Sequence, residues 1–206
     1  MSGGWPVLAS NPRSELDDSL SDLALLLYDE EWETADRLTA QLLLTAVEQS
    51  LFSHEAPRRP ELTTETLAGI PCQLIYAIDQ CWQGASGGHF GFSTQLQIYQ
   101  ETLGSAAFDP ALSNWSTPHP FFEEVGWLML FPLRPMGFLR FYNWLEFDLE
   151  APRGHLPALW YWQLPGLASL RMGGFFTGQG AGFGDLARLD AMMLRLSRCG
   201  QLGGGE

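Results

Sequence analysis

Lysine is absent from this 206-residue chain, and all 11 basic residues are arginine. That excludes lysine Schiff-base chemistry and removes the lysine of a phosphate-binding loop. Any anion must therefore be held by arginine, whose planar fork suits carboxylates. Positive charge is scarce altogether: 24 acidic residues leave a formal net charge of −13. A nucleic-acid surface needs a cationic footprint, and adsorption to anionic lipid needs the same. Long apolar runs are also missing, since stretches such as Val125–Pro132 are far too short to cross a bilayer. Met1–Ser10 has no basic region followed by an apolar run, so the chain is expected to work inside a cell.

Cysteine is sparse. Cys72, Cys81 and Cys199 are odd in number and lack CxxC spacing, so the expectation is three reduced, mostly buried thiols rather than a disulfide framework or zinc site. His54, His89, His119 and His155 show no metal-ligand spacing. No HExxH and no GxxxxGK[ST] occurs, and the glycine-rich run Gly84–Gly91 follows an apparent helix rather than a strand, against a dinucleotide-binding turn. Asp17/Asp18, Glu30/Glu31 and Glu123/Glu124 read as solvated faces. A non-catalytic protein is expected.

What is present is apolar content of 46%, enough for one domain with a real core. Leu16, Leu20, Leu23 and Leu27 recur at helical spacing, as do Trp32, Ala35, Thr39, Leu42, Leu43 and Ala46. The break at Asp29–Glu30 suggests an antiparallel pair. Thr63 or Thr64 is placed to cap a short helix through Gly69, and Pro71 to begin one carrying Leu74, Ile75, Ile78, Cys81 and Trp82. Ser93 reads as the cap of a helix closed by Gly104, and Asp185 as the cap of a last helix through Leu196. Between Ser105 and Gly184 proline, glycine and aromatics replace periodicity. The chain is thus expected to be all-α, with residues 15–199 forming one helical domain and residues 1–14 and 200–206 forming tails.

Several blocks together resemble one family. Trp32, Ala35, Asp36 and Thr39 form a W-x-x-A-D-x-x-T helix. Ile70-Pro71-Cys72 leads to Ile78-Asp79 and Trp82, and then to Ser86-Gly87-Gly88-His89-Phe90-Gly91-Phe92-Ser93. Val125-Gly126-Trp127 and Ala151-Pro152-Arg153-Gly154-His155-Leu156-Pro157 follow in order. Across about Leu16–Leu164 this pattern resembles the genomes-uncoupled-four family. The resemblance implies a helical core that binds protoporphyrin IX or Mg-protoporphyrin IX, in some members a linear bilin. It also implies stimulation of magnesium chelatase through that enzyme's large porphyrin-binding subunit. The setting would be the cytoplasm of a photosynthetic bacterium or a plastid, with at most peripheral membrane association. An additional N-terminal helical bundle of some members is absent from the sequence, and the tail from Trp160 does not follow the blocks.

The composition suits such a ligand. Eight tryptophans and 13 phenylalanines concentrate in the second half. Phe121, Phe122, Val125, Trp127, Leu128, Phe131, Phe138, Phe141 and Trp144 are the candidate walls of a groove for a flat macrocycle. Burying about 300 Å² of apolar ligand surface contributes roughly 7 kcal/mol before association costs. Arg134, Arg140 and Arg153 are the candidates for the propionates, with Arg171 weaker. His155 lies beside them, either shaping a turn or facing the ligand, and the turn is the preferred role. His89 is expected to face solvent. Asp79 and Trp82 are assigned to architecture. The competing reading makes Leu128–Leu133 and Phe138–Phe141 an apolar patch for a protein partner.

Overall fold

The structure, a computed structural model, describes residues 12–51, 60–104, 119–131, 134–162 and 185–203. Eight helices are found among them. They are α1 (Pro12–Tyr28), α2 (Trp32–Leu51), α3 (Thr64–Gly69), α4 (Cys72–Ser86), α5 (Phe92–Leu103), α6 (Pro120–Glu124), α7 (Leu159–Trp162) and α8 (Leu186–Gly203). Strands β1 (Leu128–Phe131) and β2 (Arg134–Leu139) form one antiparallel hairpin, pairing Leu128 with Leu139 and Phe131 with Arg134 around an irregularity. A 3-10 turn covers Tyr142–Trp144. The fold is mostly helical, as the periodicity implied, and the hairpin is the one sheet among the described residues.

Helical spacing decides which faces go inward. Leu23 and Leu27 of α1 and Trp32, Ala35, Thr39, Leu42, Leu43 and Ala46 of α2 are all buried. The two helices turn within three residues because Glu30 adopts the left-handed conformation (φ 59) and the Glu31 amide reaches back to the Leu26 carbonyl. Thr63 caps α3 in a capping box, its hydroxyl accepting from Thr66 N–H while the Thr66 hydroxyl oxygen accepts from Thr63 N–H. Asp185 caps α8 through Arg188 N–H. Pro71 falls one residue before α4 and acts as its N-cap.

Trp82 and Asp79 are architectural. Trp82 is fully buried on α4, stacks on Trp32, and donates from Nε1 to Thr39 at 2.9 Å, fastening α4 to α2. Asp79 corrects the reading of Ser93. The N-cap of α5 is Gly91, at φ 125, and the cap group comes from the neighbouring helix. The Asp79 carboxylate accepts from Ser93 N–H and from the Ser93 hydroxyl. A side chain at Gly91 would collide with Asp79 and Gln83, so glycine is required at that crossing.

The thiols depart most from expectation. Cys72, at the start of α4, and Cys199, near the C-terminal end of α8, form a disulfide across 127 residues of chain, and Cys81 alone is a free thiol. Sequence spacing does not reveal the pair because only the packing of α8 against α3, α4 and α5 brings the two together. Arg195 adds a second tie, donating to the Ile70 carbonyl just ahead of α4. Residues 1–11 and 204–206 lie outside the described residues, while α1 begins at Pro12 and α8 ends at Gly203.

Candidate functional site

The aromatic half is built around the turn Ala151–Ala158, which has no regular secondary structure yet is held at almost every polar atom. Gln95, buried on α5, donates to the carbonyls of Gly154 and Pro157 at 3.0 and 2.8 Å. Gly91 N–H donates to Leu156, Gly154 N–H to His89, and Trp127 Nε1 to the His155 carbonyl. Gly154 (φ 74) has no room for a side chain, since an added Cβ would lie 2.6 Å from Ile98 Cδ1. Gly126 (φ 72) is likewise pressed against Pro152.

Asp36 closes this latch from the far side. Its fully buried carboxyl accepts from the N–H groups of Ala158 and Leu159, at 2.8 to 3.1 Å, and from the Tyr142 hydroxyl at 3.0 Å. It thereby caps α7. Burial pushes the carboxyl up to about 7, while the backbone N–H groups and Tyr142 pull the other way. Burial likewise raises the Tyr142 hydroxyl, and the neighbouring Asp36 raises it further.

His155 serves the turn. Its Nδ1–H donates to the Val125 carbonyl at 2.6 Å and its Nε2 accepts from Glu146 N–H at 3.2 Å. Burial holds the imidazole below its usual value and hence neutral. Both ring nitrogens are thus occupied by backbone, which leaves none for a metal in this arrangement. His89 is half-buried rather than solvent-facing, its Nε2 bonded to the Ala151 carbonyl at 2.8 Å.

The candidate groove residues divide into three sets. Phe121, Phe122, Val125, Trp127 and Leu128 are buried. Their rings form one cluster with Trp160, Tyr161 and Trp162, joined by contacts such as Trp127–Trp162 at 4.8 Å and Phe122–Tyr161 at 5.3 Å. These residues are the floor under any groove rather than its open surface. The second set reaches the surface where β2 ends. Trp144 is 53% exposed, with Phe141 edge-on to it at 4.7 Å. Arg140 precedes Phe141 in the chain, its Nε donating to the Leu128 carbonyl and its Nη1 to Glu146 at 2.9 Å. Phe131, Arg134 and Phe138 belong to the hairpin leading to this face, but only their backbone lies within the described residues. The third set is Arg153 alone, exposed and turned toward α5, where it meets Gln97 at 2.5 Å and Glu101 at 3.9 Å. The structure therefore brings Phe141 and Trp144 together, ties Arg140 to Leu128 and Glu146, and leaves Arg153 with a different group of partners. Arg171 and His54 lie outside the described residues.

Sequence reasoning missed Trp160, Tyr161 and Trp162, which complete the cluster, and the joining role of Asp36 and Gln95. The Leu159–Trp162 run of four large residues was the available signal. The letters G-x-S-x-G do occur, at Gly84–Gly88. Ser86, however, ends α4, donates to the Trp82 carbonyl at 2.6 Å and accepts from Phe90 N–H, so it is a helix stop and not a nucleophile on a strand-to-helix elbow. Among the described residues no cluster of histidine, cysteine and carboxylates is arranged to hold a metal, and no helix is long and apolar enough to cross a membrane.

Residues 13–169 match the model of the GUN4-like family. The uncharacterized protein ycf53 of Porphyra purpurea is 30% identical over 136 residues, 66% of this chain and 48% of that protein. A Ycf53-like protein of Synechocystis is 27% identical over 135 residues, 65% of this chain and 48% of its own length. The chain thus spans about half the length of the curated relatives it matches. The ligand-free structure of Arabidopsis thaliana GUN4 is similar at a TM-score of 0.48 and 22% identity, covering 75% of this chain and 86% of that one. With more than half of its length matched by the family model, the chain belongs to the GUN4-like family.

Proposed function

We propose that the protein binds a tetrapyrrole reversibly and without a covalent bond, on the face where the hairpin meets Arg140, Phe141 and Trp144. The observation that carries this reading is the exposed Trp144 with the half-buried Phe141 edge-on to it, Arg140 directly preceding Phe141 in the chain, near a cluster of buried rings. A half-exposed indole gives a flat macrocycle something to stack on. Arg140 is the positive group closest to it in the chain, and a propionate would compete with Glu146 for its guanidinium. The net charge of −13 repels such a ligand at long range, so the arginine must act locally.

The ligand favoured by family membership is protoporphyrin IX or Mg-protoporphyrin IX, with a linear bilin as the second candidate. The protein would hold, shield and hand on the ring without itself inserting metal, and would act on magnesium chelatase through its large porphyrin-binding subunit. It would work in the cytoplasm of a photosynthetic bacterium or in a plastid, in keeping with relatives from a cyanobacterium and a red alga. A charge of this sign permits at most peripheral contact with a membrane.

The test is to titrate the protein with deuteroporphyrin, its Mg form and the dimethyl ester, following the Soret band and tryptophan emission. One site per chain of micromolar or better affinity (roughly 8 kcal/mol) is expected, with the dicarboxylate bound more tightly than the ester. No Soret shift and no quenching at tens of micromolar would replace this reading with a protein-interaction surface at the same exposed residues.

A further inference from the structure

We infer that the Cys72–Cys199 bond is a thiol–disulfide exchange site, open to a dithiol reductant, whose cleavage releases the C-terminal end of α8. The inference stands apart from the ligand face.

Three observations meet here. First, the disulfide is reachable. It forms one wall of an open groove of about 340 Å³ between α4, α5 and the end of α8, lined also by Ile75, Tyr76, Phe92 and Leu196. Tyr76 at its rim is 66% exposed. Attack on a disulfide requires the incoming sulfur to approach along the S–S axis, so access decides whether a bond is inert or exchangeable.

Second, the two sulfurs are electrostatically unequal. Cys72 is the first residue of the 15-residue helix α4, whose N-cap Pro71 offers no side-chain hydrogen bond. Cys72 thus stands at the positive end of the helix, a setting that stabilises a thiolate. Cys199 lies four residues before the C-terminal residue of α8, toward the negative end of that helix, with Arg198 beside it in sequence. Exchange is fastest when the better-stabilised thiolate leaves. The incoming thiolate therefore attacks Cys199 Sγ, forming a mixed disulfide as the Cys72–Cys199 bond breaks, and the electron pair departs on Cys72. The second thiol of the reductant, once deprotonated, then attacks the reductant's own sulfur. This step releases Cys199 as a thiolate and oxidises the dithiol to its disulfide. The two protons lost by the dithiol are balanced by those taken up at Cys72 and Cys199.

Third, the bond joins a part inside the family block to a part outside it. Cys72 lies within the block matched by the family model, residues 13–169, and Cys199 lies beyond it. The bond therefore clasps a helix outside that block to the family core. Upstream along α8, Leu189, Met192, Met193 and Leu196 are buried and Arg195 is held by Ile70, so that part stays docked after reduction. Only the turns beyond Leu196 lose their fastening, and their loss widens the groove.

The experiment uses the full oxidised chain in native buffer. Dithiothreitol should expose two thiols beyond Cys81 to iodoacetamide, counted by intact mass. Glutathione, a monothiol, should leave its adduct on Cys199 and the alkyl group on Cys72, in about tenfold excess over the reverse product by peptide mass. Amide exchange at residues 197–203 should quicken about tenfold or more on reduction, with α4 and α5 unchanged. A Cys72→Ser/Cys199→Ser variant should show the same fast exchange without reductant. A bond that yields only in denaturant, the reverse adduct pattern, unchanged exchange at 197–203, or a native protein that keeps three free thiols under oxidant would each overturn the inference.

Discussion

The two halves of the molecule reach the same degree of burial by different means. In the helical half, α1, α2, α4 and α8 satisfy their own backbones, and apolar stripes pack them together. In the aromatic half, the turn Ala151–Ala158 is equally buried but satisfies its backbone with side chains sent from elsewhere: Gln95 from α5, His89 from the α4–α5 loop and Asp36 from α2. A packed helix tolerates the loss of one side chain at the cost of a cavity. A latched turn loses several hydrogen bonds with one residue. The proposed ligand face rests on the second kind of structure, so its shape depends on polar residues remote from it in sequence.

The largest effect is expected in the first half. Trp82→Ala removes a fully buried indole and its bond to Thr39, and should lower stability by about 3–5 kcal/mol by urea denaturation. Wild-type stability in that variant would undo the assignment of Trp82 to the frame.

Asp36→Ala comes next and probes the latch. It leaves the N–H groups of Ala158 and Leu159 and the Tyr142 hydroxyl without their partner, for a loss of about 2–4 kcal/mol. Its pH dependence is specific. The folded carboxyl titrates near 7, raised above the unfolded value of 3.8. The folded state therefore keeps a proton that the unfolded chain has shed. That contribution is complete below about pH 4, declines as pH rises to about 7, and is flat above. The gap between wild type and variant should narrow over that range. A gap that widened with pH would mean that Asp36 is ionised in the fold.

Gly154→Ala should cost about 1–3 kcal/mol, because the turn needs φ 74 and its Cβ would strike Ile98. Thermal unfolding reads this directly, and a neutral result would show that the turn yields where the hydrogen bonds suggest it does not.

Which parts were legible in the sequence follows from the same division. Thr63 and Asp185 announced their helices because a cap acts within four residues, and the stripe through Leu74, Ile75, Ile78 and Trp82 announced α4 because its period is local. Ser93 misled because its cap arrives from Asp79, on another helix. Cys72 and Cys199 misled for the same reason at greater range. At the proposed site, aromatic composition did not separate buried rings from surface ones. Trp127 and Trp144 look alike in sequence, and only the return of Leu159–Trp162 over the first one buries it. Arg140 and Arg153 looked alike too, until Glu146 and Gln97 gave them different neighbourhoods.

The central claim is that ligand is held by the exposed pair while the buried rings and polar latch only shape the support. The direct measurement is porphyrin affinity and thermal stability of Trp144→Ala beside the wild type. Trp144 is half exposed, so its removal should change stability by no more than about 0.5 kcal/mol. Affinity should fall about tenfold, the worth of one stacking contact of about 1–1.5 kcal/mol. Unchanged affinity at unchanged stability would contradict the account and move the ligand away from this face.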